Sequence, residues 1–261
     1  MDVIRVSTWN ELQDELFFNS WMPKIERFRS PYAFRGQAFF DQRLDTSLMR
    51  LGGDYEEMER HILRNFRKYA RHSDEEMDSI WNWLSIAKHH GLPTRLLDWS
   101  FSPFVALHFA TQHIEDFNQD GAIWQVDYHA AQRYLPEKLK KQLAGEGSDV
   151  FTVEMLATSM QSLEELERMS PSDFVIFFEP PSLDERIVNQ FALFSMASRP
   201  EIRMDTWLEQ RKELSRMVVI PADLKWEVRD KLDQANITER VLFPGLDGLS
   251  AWLKRMYSSR K

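Results

Sequence analysis

The stretch HHGLPTRLLDWS, residues 89–100, holds more chemistry than a turn needs. Gly91 and Pro93 are turn residues, and Leu96 and Leu97 suit a core. Thr94, Arg95, Asp98 and Trp99 need a further reason. One is structural: an Arg95–Asp98 pair ties the turn down over a packed Trp99, since structural ion pairs also gather charge. The other is a binding site. A guanidinium offers a planar donor fork to phosphate or carboxylate, and an indole stacks on flat rings. FRGQ, residues 34–37, poses the same question. Arg35 stands between an aromatic residue and Gly36, which would let a ligand approach the backbone closely; the alternative is Arg35 paired with a surface acid. A third segment, LDERIVNQFALF (183–194), sets Glu185, Arg186 and Gln190 ahead of an apolar end. There Ser182 and Glu185 have capping-box spacing, and Gln190 also fits a helix face.

Other chemistries find no pattern. His89, His90, Asp98, His108 and His113 lie close in sequence. Adjacent histidines on a helix point about 100° apart, a separation of five suits a helical ligand pair poorly, and His-Glu-x-x-His is absent, so no metal is expected. There is no Gly-x-Ser-x-Gly elbow and no Walker or dinucleotide-type phosphate loop among the nine glycines. The chain has no cysteine, which excludes disulfides and thiolate chemistry. A net charge of −8 over 261 residues argues against a general electrostatic grip on nucleic acid, while leaving room for a local basic patch. The charged N-terminal stretch does not read as a signal peptide and no apolar run spans a bilayer, so a cytoplasmic, membrane-free setting is expected.

These residues need elements to hold them. Thr8 and Glu11 open a helix with Leu12, Leu16 and Phe17 on one face. SPYAFRGQAFF reads as a strand running to Gly36. Residues 56–72 form a charged amphipathic helix. Another starts at Ser73, with Glu76 three residues on and Met77, Ile80, Trp81 and Leu84 inward, and ends at Gly91. TRLLDWS is extended. Ser102 caps a helix with Pro103 at its first position and Val105, Ala106, Phe109 and Ala110 buried. Residues 121–128, 173–179 and the RMVVIP run are strands. Residues 129–170 read as a helical insertion or lid. Pro221 starts a helix with Leu224, Val228 and Leu232 inward, and a turn and final helix close the chain. With no repeat or linker, 1–261 reads as a single α+β domain.

The three segments together resemble the FRG domain family, named for its Phe-Arg-Gly motif. Phe34-Arg35-Gly36 is that motif, followed by LDTSLMR. KHHGLPTRLLDWSFSPFVALHFA matches the family's central block, with Lys88 where glutamine is usual and Ser100 in place of threonine. Arg186, Gln190 and Phe194 resemble the late block, with Ala192-Leu193 where a glycine is usual, and LFPGLDGLSAWL resembles the C-terminus. Family members occur in bacteria and phages, often in toxin–antitoxin or anti-phage settings.

The motif order is similar to that of ADP-ribosyltransferases: an aromatic-Arg-Gly strand, a hydroxyl-bearing extended segment feeding an Ala-rich helix, then a late polar residue. The resemblance implies a split β-sheet core with N-terminal and inserted helices. It implies mono-ADP-ribosyl transfer from NAD to RNA, DNA or protein by a toxin or defence effector, with an antitoxin protein as a partner. Arg35 would clamp the phosphates, with Gly36 and Gln37 beside it. Trp99 would stack on nicotinamide, Asp98 or Gln190 would hold ribose hydroxyls, and His90, Thr94 and Arg95 would add polar contacts. Asp98 or His90 would act as base. The late residue is usually glutamate; here it is Gln190, or Glu185. A non-catalytic nucleotide-sensing or binding module is the alternative from another class, and a nucleotide hydrolase or nuclease a third.

Overall fold

The computed structural model describes residues 1–70, 79–182 and 184–259. Its strands are β1 (Asp2–Arg5), β2 (Trp21–Met22), β3 (Arg27–Phe28), β4 (Tyr32–Gln37), β5 (Leu96–Ser100), β6 (Gly121–Asp127), β7 (Phe151–Thr152), β8 (Val175–Glu179), β9 (Ala192–Ala197) and β10 (Ser215–Ile220). β2 and β3 form a separate two-stranded ribbon. The other eight form one sheet in the order β1-β10-β6-β4-β5-β9-β8-β7. Its outermost pairs, β1 with β10 and β7 with β8, are parallel and the rest antiparallel. With helices on both faces, the architecture is α+β.

One junction differs from the others. β4 pairs with β6 along its whole length, and β5 pairs likewise with β9. β4 and β5 meet only at Phe34 and Ser100. The two halves of the sheet therefore part beyond that point.

The helices are α1 (Trp9–Leu16), α2 (Tyr55–Tyr69), α3 (Ile80–His89), α4 (Pro103–Ala110), α5 (Tyr128–Ala131), α6 (Glu137–Glu146), α7 (Val153–Ser159), α8 (Leu163–Arg168), α9 (Glu185–Asn189), α10 (Met204–Glu209), α11 (Lys225–Gln234), α12 (Glu239–Leu242) and α13 (Leu246–Met256). None is long and apolar enough to cross a membrane. Side-chain alternation sorts the core. Leu97 and Trp99 of β5 join Ala33, Trp124, Phe177 and Leu193 on a face that runs under both halves. On the other face Phe34, Ile123 and Val218 pack with Leu12 and Leu16 of α1, Ala106 of α4 and Val228 of α11. Beside them, Leu96, Ile176, Phe178 and Phe194 pack under α3, α6, α7 and α8. The gap between these two packed halves lies above the β4–β5 junction.

Several local expectations need correction. Phe17 lies past the end of α1, exposed, while Thr8 caps that helix and the Glu11 carboxylate accepts from Ser7 and, more weakly, from the Thr8 backbone. α2 ends at Tyr69, before the expected 72. The start at Ser73, with Glu76 and Met77, falls outside the described residues; α3 is described from Ile80, capped by Ser79. Pro221 leads into a 3-10 turn, Ala222–Leu224, before α11. Residues 129–170, expected as an insertion or lid, supply Leu139, Leu143, Leu156, Leu163 and Leu166 to the core. None of the residues lining the cleft described below comes from this segment.

Candidate functional site

Where β4 and β5 part, a cleft of about 630 Å³ opens. Its floor is strand: Arg35 and Gly36 from β4, Asp98 and Ser100 from β5. Its walls come from the end of α3 (Lys88, His89, His90), from α4 (Ala106, Phe109) and from α9 (Arg186, Gln190). Gly91, in the left-handed region at φ +80°, ends α3 and turns the chain toward β5. Ser102 caps α4 with Pro103 at its first turn.

Strand alternation alone would send Arg35 to the face of Ala33 and Gln37. Instead its Nη1 donates to the Asp98 carbonyl (2.7 Å) and stands 3.9 Å from the Asp98 carboxylate. The parted strands leave that carbonyl free of β4 and give the guanidinium its route. Lys88 Nζ lies 2.7 Å from Asp98 Oδ2. Burial alone would raise the Asp98 carboxyl. The Lys88 ammonium, and after it the Arg35 guanidinium, outweigh burial and hold the carboxyl below its ordinary range. Burial in turn lowers the Arg35 guanidinium, opposed by Asp98. Asp98 is thus a fixed anion at neutral pH: a good partner for a cation and a poor proton acceptor. Lys88→Met leaves burial less opposed, so the Asp98 pKa should rise. A ¹³C carboxyl titration checks this; an unchanged midpoint contradicts the assigned role of Lys88.

The remaining expected residues divide. His90 is exposed at the rim, its ring edge-on to His89. Gln190 ends α9; its Nε2 donates to the Leu242 carbonyl, and its own carbonyl accepts from Ser100 Oγ. Gly36 borders the cleft, but the group that approaches it is protein: a Cβ there would stand 1.8 Å from the Ala106 carbonyl of α4. Gln37 is buried and engaged, with Oε1 accepting from Trp124 Nε1 and Nε2 donating to the Arg43 carbonyl. Trp99 borders the cleft through its strand only. Its indole is buried on the opposite face, donating to Ser195 Oγ at 2.8 Å and edge-on to Phe177, so it is not turned toward a cleft ligand. Thr94 is buried and bonded to Ser47.

Arg95 does not pair with Asp98. Its guanidinium, 2% exposed, binds Glu59 of α2 and Glu167 of α8. Burial opposes its charge, yet Glu59 and then Glu167 raise the guanidinium overall. Consecutive positions on an extended segment point to opposite sides, which takes Arg95 away from the cleft. The Ser182–Glu185 capping box is also replaced: Asp184 caps α9, and its carboxylate lies 2.6 Å from His89 Nε2. Glu185 is exposed and absent from the cleft lining. His108, on α4, is buried, its Nδ1 2.9 Å from Arg229 Nη1 of α11. Burial and the Arg229 charge push it down to about 3, so it is a neutral core residue.

The sequence marked Lys88 and Arg186 only as motif positions; their part as cations in the cleft was missed. Lys88 and Arg186 join Arg35 around Asp98, and Arg186 lies over the Phe243 ring, 4.9 Å from its centroid. Lysine in the last turn of a helix was the available signal, since a cation there complements the helix dipole and stands at the helix exit. Phe109, expected as a core position, is half-buried and lines the cleft.

The fold and site define an α+β protein with a cationic cleft at a parted strand pair. Residues 30–119, which include Arg35, Lys88 and Asp98, match the FRG domain model. No curated protein and no solved structure matches the chain.

Proposed function

We propose that this protein transfers ADP-ribose from NAD to a macromolecular acceptor, on a split sheet of ADP-ribosyltransferase type, as a cytoplasmic toxin or defence effector. The observation that carries the reading is the parting of β4 from β5, with Arg35 on one lip and Asp98 on the other. NAD presents a pyrophosphate, two riboses and two flat rings. Arg35, Lys88 and Arg186 supply the cationic donors a pyrophosphate needs. Phe109, rather than Trp99, is the aromatic wall for a ring. Gln190 Oε1 accepts from a ribose hydroxyl while its Nε2 stays on Leu242.

In transfer, the bond from nicotinamide nitrogen to ribose C1′ breaks and nicotinamide leaves with the electron pair. C1′ gains cationic character, and the acceptor nucleophile bonds to it and loses its proton. Asp98, held ionised, favours that cation. His90 at the rim takes the acceptor's proton in this reading.

Two observations favour the binding-module alternative: Asp98 is already paired with Lys88, and the late polar position is Gln190 rather than a glutamate. Incubation with NAD labelled on the ADP-ribose, together with cell extract, separates the two. Transfer predicts label on RNA, DNA or protein with nicotinamide released in step. Saturable NAD binding with no release and no transfer establishes the binding module instead.

A further inference from the structure

Between α1 and β4 the chain leaves the main sheet and returns to it. It departs after Ser20, which is buried and donates to the Phe17 carbonyl, and comes back through Ser30 and Pro31. The β2–β3 ribbon lies between. Every residue from Trp21 to Arg29 is exposed. Among them Trp21, Met22, Ile25 and Phe28 are large and apolar, each between 43% and 66% exposed. Exposed apolar residues are ordinary when scattered, but this cluster sits on a ribbon that buries none of them. Trp21 and Phe28 are cross-strand partners with ring centroids 5.0 Å apart, so they share one face. Met22, opposite Arg27, belongs to the other face, and Ile25 lies in the turn. The charge is as uneven as the hydrophobicity. Lys24, Arg27 and Arg29 stand against the single carboxylate of Glu26, in a chain of net charge −8. Among the described residues none of these three cations is paired with a carboxylate; Arg29 donates to the Phe28 carbonyl at 2.9 Å.

We propose that the ribbon anchors the protein to the surface of an anionic bilayer. Its apolar side chains enter the boundary between headgroups and acyl chains, a depth at which tryptophan is favoured. The lysine and arginine heads stay with the lipid phosphates while their stems lie among the apolar groups. Length agrees. Trp21 stands about three residues from the turn, ~10 Å of strand, and interfacial binding carries apolar groups roughly 5–10 Å into the boundary. A partner protein would have to grip apolar groups on both faces of the ribbon, and two-residue strands offer little edge for pairing. A fluid bilayer closes around both faces and takes the unpaired cations. Attachment of this kind needs no spanning helix, and no described helix is long and apolar enough to span. The expectation of a membrane-free setting weighed only spans. The anchor is independent of the cleft chemistry, since none of residues 21–29 lines the cleft.

The test is flotation of the full chain with vesicles of two parts phosphatidylcholine to one of phosphatidylglycerol, and with phosphatidylcholine alone, across a salt series. The wild type should bind the anionic vesicles at least ~10-fold more tightly than the neutral ones, and the difference should shrink as salt rises. Trp21→Ser with Phe28→Ser should weaken binding to anionic vesicles at least ~10-fold, with an unchanged melting temperature because both side chains are exposed. Lys24→Glu with Arg27→Glu should abolish the preference for anionic lipid. Absence of wild-type binding to anionic vesicles at low salt overturns the proposal. So does wild-type binding by the serine variant, or an undiminished anionic preference in the charge-reversed one. A dimer in sedimentation that the serine substitutions dissolve also overturns it, because a second copy would then cover the ribbon.

Discussion

Gly36→Ala is expected to lose at least about 3 kcal/mol of stability, the upper range for overpacking. The added methyl carbon would stand 1.8 Å from the Ala106 carbonyl oxygen and 2.7 Å from the Ala110 backbone nitrogen. Both are backbone atoms of α4, so no rotamer change relieves the clash; the helix must move off the strand. Ala106 and Ala110 are themselves small, which brings the two backbones together, and a shifted α4 also moves Phe109 at the cleft wall. For a chain near this length the melting temperature should fall by roughly 6–12 °C. Gly91→Ala is the control. Its φ of +80° costs about 1 kcal/mol for an L residue, with nothing near the new methyl group. Thermal melts of both variants check this; equal losses would show that the α4–β4 contact does not set the glycine.

Arg95→Met is expected to destabilise by about 3–5 kcal/mol. It leaves the Glu59 carboxylate, on a side chain only 1% exposed, without the guanidinium that now holds it. Glu167 loses the same partner but keeps Arg60. The loss concerns folding rather than the cleft, because Arg95 lies away from it. Adding Glu59→Gln removes the stranded charge, so the double variant should recover a large part of the stability. Chemical denaturation of the two single variants and the double completes the cycle. Strictly additive losses would contradict the buried network.

Much of this fold is written in local pattern. Ser102-Pro103 marks the start of α4, Gly91 the end of α3, and apolar runs mark β6 and β10, because caps and alternation depend on neighbours in sequence. The three segments of the cleft were also legible: Arg35, His90, Asp98 and Gln190 do border it. Which side each residue faces was not. Thr94, Arg95 and Trp99 stand beside Asp98 in sequence, yet the extended chain turns Arg95 toward α2 and α8 and Trp99 into the opposite core. Their partners lie 36 to 96 residues away, and only the sheet order brings them near. The role of Gly36 was hidden for the same reason, since the close neighbour is a helix across the sheet. Residues 129–170 looked polar enough for an insertion because their leucines are spread over separate short helices, each too short to show a clear face.

The central claim is that the parted β4–β5 junction is the reactive site. Nicotinamide release from NAD by wild type, Arg35→Met and Asp98→Asn measures it most directly, with melting curves run alongside. The expected result is release by the wild type and a loss of about 100-fold or more in each variant, the scale of removing one preorganised electrostatic contact. Arg35 and Asp98 both keep partly exposed side chains, so the variants should stay folded. Wild-type rates in both folded variants, or no release by the wild type, would contradict the account.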